Sequence, residues 1–199
     1  MIDYERDTIQ VMRDGQNRHS AIGGTDTRRG VEISHPHLSE SQRRAVEQIL
    51  ASRDQVTALE GVAGAGKTTS LTAIRETAER ERYKLEGFAP TSGAAQKLRE
   101  ARIESSTLQR HLARTDEQRD GAKRLYVLDE SSLASTKQMN EFLYRLKEYD
   151  RVLLQDEFFA TSKRLRLAQK PEEKFSLLNE LQWIVRESKR ALAETDSKQ

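Results

Sequence analysis

Cysteine is absent from the chain, so disulfides and thiolate metal sites are excluded, and a reducing, cytoplasmic setting is the expectation. No apolar stretch approaches the roughly 20 residues of a membrane span. The start, Met1-Ile2-Asp3-Tyr4-Glu5-Arg6, carries no signal-peptide pattern, so no membrane partner is expected. Nor does one sign of charge dominate: 34 basic against 32 acidic residues leave +2, which does not announce a polyanion partner. Nucleic-acid binding has to be argued from local residues. Apolar residues are also scarce, at 35 % against 33 % charged, so a sheet must concentrate them while long helices carry the charge. No internal repeat or low-complexity tract occurs, and 199 residues allow one domain with a small helical appendage.

Periodicity predicts a helix over 3–14. Gly15, the Gly23-Gly24 pair and Gly30 then mark an exposed linker up to His37. His35-Pro36-His37 lacks a neighbouring cysteine or carboxylate cluster and reads as a loop, not a metal site. Ser39, with Gln42 three residues on, has capping-box spacing ahead of Ala45, Val46, Ile49 and Leu50, so a domain starts near Leu38. Apolar runs predict strands at 56–60, 85–89, 125–128 and 151–154. Helical patterns lie at 67–82, 93–101, 107–113 and 136–146. Alternating strands and helices predict α/β architecture, a parallel sheet covered by helices. From Gln155 the texture changes, and Phe175, Leu178, Leu181, Ile184 and Val185 form a helical stripe, giving an expected division into 1–37, 38–154 and a helical tail at 155–199. That stripe reads first as a packing face and second as a docking surface.

Residues 61–68, Gly-Val-Ala-Gly-Ala-Gly-Lys-Thr, fit the pattern of a phosphate loop and follow an apolar run suited to a buried strand. A strand running into a helix N-terminus turns successive N–H groups toward one concavity, where the helix dipole favours negative charge. A nucleoside triphosphate with Mg²⁺ is the expected ligand. Gly61, Gly64 and Gly66 allow the tight turn, with Ala65 between the last two and Thr69 just inside the helix. Lys67 would reach the β- and γ-phosphates, and the Thr68 hydroxyl would ligate Mg²⁺.

A second constellation is the strand Leu125-Tyr126-Val127-Leu128 ending in Asp129-Glu130. One carboxylate can support the metal and its neighbour can orient an attacking water, which pairs naturally with an upstream phosphate loop. Acidic residues also favour the first turn of a helix, so the pair on its own would serve equally as a cap.

Four segments in order, Leu38 to Gln42, Gly61 to Thr68, Ala89-Pro90-Thr91-Ser92 and Leu128 to Leu133, resemble a superfamily 1 helicase of the RecD-like group. The nearest likeness is to the helicase portion of MobF-type, TraI-like conjugative relaxases, and it spans about residues 1–154. It implies a RecA-like P-loop NTPase fold, ATP and Mg²⁺ as cofactors, ATPase activity, and single-stranded DNA as partner. Gln42 would read the adenine edge, Lys67 and Thr68 hold phosphate and metal, Asp129 support the metal and Glu130 activate water. Thr91 and Ser92 would meet DNA phosphates, although helix capping explains the same hydroxyls, and Thr107 and Arg110 would touch the strand, although a short solvated helix explains those residues.

The resemblance also predicts a Gly-Asp-x-x-Gln motif after 151–154, where this chain has Gln155-Asp156-Glu157-Phe158-Phe159. The expectation from these residues is that neither a second motor domain nor the relaxase nuclease domain is part of the unit. The expectation is therefore a chain truncated after about residue 154, with weak or partner-dependent hydrolysis and no unwinding alone. Three or four strands would leave an open edge for the tail to shield. A nucleotide-gated protein-interaction module and a nonfunctional remnant remain as alternatives.

Overall fold

Residues 2–61, 66–114 and 121–157 are described by the structure, a computed structural model. Gly64, Ala65 and the whole apolar stripe of the expected tail lie outside the described residues.

Five strands build one sheet: β1 (Val56–Gly61), β2 (Lys84–Ala89), β3 (Ser105–Thr107), β4 (Arg124–Asp129) and β5 (Arg151–Glu157). Their order across the sheet is β1-β5-β4-β2-β3, and every pair is parallel. Among the described residues seven α-helices accompany them: α1 (Ile2–Asp14), α2 (Thr25–Ser34), α3 (Glu40–Ala51), α4 (Lys67–Arg80), α5 (Ser92–Glu100), α6 (Leu108–Ala113) and α7 (Thr136–Tyr144). This is the RecA-like P-loop NTPase α/β fold that the resemblance implies.

Side chains alternate across each strand, so neighbouring residues feed opposite layers. Leu125 and Val127 of β4 and Leu153 of β5 join one cluster with Val46, Ile49 and Leu50 of α3 and Leu71, Ile74 and Ala78 of α4. Tyr126 and Leu128 join the opposite cluster with Val152, Leu108 of α6 and Phe142 and Leu143 of α7. Both faces of the central strands are thereby buried, as parallel sheets require. The few apolar residues of the chain go where both layers can use them.

The structure corrects three expectations. The span read as an exposed linker contains α2 and buries Ile22, Val31 and His35. Two of its four glycines are close-packing positions: a Cβ on Gly15 would lie 2.9 Å from Gln55 Cβ, and one on Gly23 would lie 2.7 Å from Thr27 Cγ2, whereas Gly24 and Gly30 face open space. Ile22 N–H donates to Leu50 O at 2.9 Å, and the buried Arg151 guanidinium donates to the carbonyls of Ser20, Ser52 and Asp54. The sheet gains the three-residue β3, too short to announce itself by periodicity. Finally, β5 continues three residues past Leu154, pairing Glu60 with Asp156 and Gly61 with Glu157.

Candidate nucleotide site

Parallel strands deliver all their C-terminal ends to one rim, and here the rim collects the residues singled out in the sequence. In spatial order it runs from the end of β1 at Gly61, through Gln155 of β5 and Asp129-Glu130 after β4, to Thr91-Ser92 after β2 and Thr107 at the end of β3. Adjacent strands lie about 4.8 Å apart, so β5 separates the phosphate-loop strand from the acidic strand by about 10 Å.

Gly66 caps α4 in the left-handed conformation, with φ 72° and ψ 34°. The backbone there favours glycine, and a Cβ would come within 2.1 Å of Gln42 Nε2, so any other residue would displace the Gln42 amide. The Gly66 carbonyl accepts from Ser70 N–H at 3.1 Å, and Lys67, Thr68 and Thr69 make the first turn of the helix. Thr68 is exposed, while Lys67 and Thr69 are half-buried. The 14-residue α4 aims its N-terminal dipole at this turn, as a phosphate site needs.

Gln42 belongs to the site through its cap. Ser39 Oγ accepts Gln42 N–H at 3.2 Å and Gln42 Oε1 accepts Ser39 N–H at 2.9 Å, completing the capping box of α3. The same amide's Nε2 then donates to Gly66 O at 3.4 Å. One side chain thus fixes the start of α3 and leans on the phosphate loop.

Asp129 is half-buried at the end of β4, with Oδ1 accepting Glu130 N–H at 3.0 Å. Burial raises its carboxyl above the ordinary value. The Glu130 N–H opposes that rise, the Glu130 charge adds to it, and the Lys67 and Lys97 ammonium groups pull it back down. Lys67 and Asp129, separate in sequence, therefore act in one electrostatic site. Lys97, on α5, was not anticipated from sequence. Glu130 itself adopts φ 51° and ψ 39° just before a 3-10 turn at Ser131–Leu133. A non-glycine residue there stores about 1 kcal/mol or more of strain, and such strain collects at functional sites.

Toward the other end of the rim the hydroxyls are caps. Thr91 Oγ1 accepts Ala94 N–H at 3.1 Å, and Thr107 Oγ1 accepts Arg110 N–H at 3.2 Å. The pairing of Ala89 with Thr107 brings these two helix starts side by side, and Thr91, Ser92 and Arg110 are exposed. His35 and His37 meet ring edge to face at 5.8 Å, and His35 Nε2 lies 3.3 Å from Glu76 Oε2.

The residues present fit a nucleotide with a divalent cation: Gly66 keeps a cradle that a Cβ would fill, and the half-buried Asp129 carboxylate at the end of β4 lies within electrostatic reach of Lys67 at the start of α4. Comparison with known proteins agrees. A family model described as an AAA domain matches residues 37–155. A probable conjugal transfer protein TraA of Sinorhizobium fredii is 39 % identical over 112 residues, 55 % of this chain and 10 % of that protein. Conjugal transfer protein TraA of Agrobacterium fabrum is 40 % identical over the same extent, with the same coverage. The multifunctional conjugation protein TraI of Escherichia coli K12 is 34 % identical over 112 residues, 51 % of this chain and 6 % of TraI. The chain thus spans a tenth or less of the length of these curated relatives.

Proposed function

The chain belongs to the AAA domain family, a helicase-type domain homologous to segments of the TraA and TraI conjugation proteins, and on that premise we propose that it is an ATP-binding and ATP-hydrolysing motor unit acting on single-stranded DNA. The observation that carries this reading is the shared rim, with the Lys67 turn near one end, Asp129-Glu130 in the middle and Thr91 beside Thr107 at the other. Nucleotide and DNA would then contact one rigid sheet through different loops.

In this scheme backbone N–H groups at the start of α4 and the Lys67 ammonium hold the phosphates, and Gln42 exchanges its long contact with Gly66 for the adenine edge. Thr68 and Asp129 would hold Mg²⁺, which when bound neutralises charge developing on the phosphates. Glu130 accepts the proton of the attacking water, and its strained backbone fixes the carboxylate beside Asp129. Thr91, Ser92, Thr107 and Arg110 meet the DNA backbone. Thr91 and Thr107 can still donate their hydroxyl protons to phosphate while capping their helices. A second motor sheet, supplied by a partner, would close over the γ-phosphate and couple hydrolysis to movement.

The test is ATP hydrolysis by the purified chain with and without single-stranded DNA. Lys67→Ala should abolish ATP binding, whereas Glu130→Gln should bind ATP normally and lose turnover. Equal loss of binding in both variants would undo the assigned roles.

A further inference from the structure

Gln155 is a buried polar side chain on the rim that this scheme leaves unused. It occupies β5 between the phosphate-loop strand and the acidic strand, in register with Leu59 of β1 on one side and Asp129 of β4 on the other. Leu153, two residues earlier, packs in the cluster of α3 and α4 with Val127 and Leu59, so alternation places Gln155 and Asp129 on that same face, under the start of α4. Gln155 is 4 % exposed, and its Oε1 has no hydrogen-bond partner among the described residues. A buried amide oxygen left without a donor is costly, and an apolar residue of similar shape would avoid the cost. Its retention calls for a donor in the working state. An ionised Asp129 can only accept, and nucleotide phosphates are likewise acceptors. In the scheme above the Lys67 ammonium and the N–H groups at the start of α4 are taken up by phosphate and Thr68 by the cation, whereas water bound to a divalent cation is a donor with protons to spare.

Resting on the nucleotide reading above, we propose that Gln155 is a positioning residue of the metal site, its Oε1 accepting a hydrogen bond from cation-bound water beside Asp129. The strand between the two sequence motifs would thereby contribute an outer contact that neither motif contains. Outer contacts of this kind tune metal affinity by about 10- to 100-fold.

The experiment is calorimetric titration of the full chain with ATP across a series of free Mg²⁺ concentrations and in EDTA, for wild type, Gln155→Leu and Gln155→Glu. Gln155→Leu should raise the Mg²⁺ concentration for half-maximal ATP affinity by about tenfold or more. Its affinity in EDTA should match wild type, and its ligand-free melting temperature should equal or exceed it. Gln155→Glu keeps an acceptor in place and should hold the Mg²⁺ requirement at or below the wild-type value. An unchanged requirement in Gln155→Leu, a raised one in Gln155→Glu, or equal weakening of both in EDTA would overturn the proposal while leaving the nucleotide reading intact. If wild type binds ATP neither with Mg²⁺ nor without it, the nucleotide reading itself falls, and this inference with it.

Discussion

Asp129 is the residue whose environment has the most direct consequence. Its carboxyl is raised chiefly by burial, so in the ligand-free protein the ionised form is destabilised. The native state therefore binds its proton more readily than the unfolded chain, and this residue's contribution falls as pH rises from the ordinary carboxylate value through the raised one. Above that window Asp129→Asn should melt higher than wild type without ligand, yet gain little from Mg²⁺-ATP. On acidification, the wild-type gain from Mg²⁺-ATP should fade at a higher pH than an ordinary carboxylate would give, and calorimetric scans across pH would check both signs. Glu130 makes a parallel case, because its left-handed backbone suits glycine. Glu130→Gly should raise the ligand-free melting temperature by about 2–4 °C for each kcal/mol of strain relieved, and lose hydrolysis. A drop in melting temperature would show that the Glu130 side chain stabilises the fold.

At the scale of elements, the C-terminal end of α6 is held by a side chain from outside the helix. Arg145 donates from Nη1 to the carbonyls of His111 and Arg114, both at 3.1 Å, and from Nη2 to Leu112 O at 2.6 Å, closing the C-terminal end of α6 from beyond α7. Arg145→Ala should cost about 1.5–3 kcal/mol, the range for hydrogen bonds to a charged group. Single-stranded DNA binding should weaken as the Thr107–Arg110 start of α6 loosens, while the response to Mg²⁺-ATP persists. Fluorescence anisotropy with a labelled oligonucleotide, beside ATP calorimetry, separates the two. The elements legible in the sequence were those with local signals: the capping box of Ser39 and Gln42, the glycine loop before α4, and the apolar runs of β1, β2 and β4. Those missed depend on tertiary contact. Glycines at 15 and 23 look like flexibility in sequence but serve close packing, and β3 is held by neighbours rather than by its own pattern. Gln155 reads in sequence as the first residue of the tail, because its register partner across the sheet, Asp129, is one that no linear pattern reveals. Strand order was equally invisible, since hydrophobic runs carry no record of which neighbours they pair with.

At the scale of the whole molecule, one parallel sheet carries the proposed nucleotide residues at the ends of β1, β5 and β4 and the proposed DNA residues at the ends of β2 and β3, all on a common rim. No helix among the described residues is long and apolar enough to cross a membrane. On the proposed reading, phosphate binding depends most on Lys67 at the start of α4. Thermal unfolding of the purified chain with and without Mg²⁺-ATP, alongside Lys67→Ala, tests this most directly. With ligand about 100-fold above Kd, binding should add about 2.7 kcal/mol, raising the wild-type midpoint by about 5–10 °C and leaving Lys67→Ala unmoved. A cooperative wild-type transition indifferent to Mg²⁺-ATP, or an equal rise in Lys67→Ala, would contradict the account.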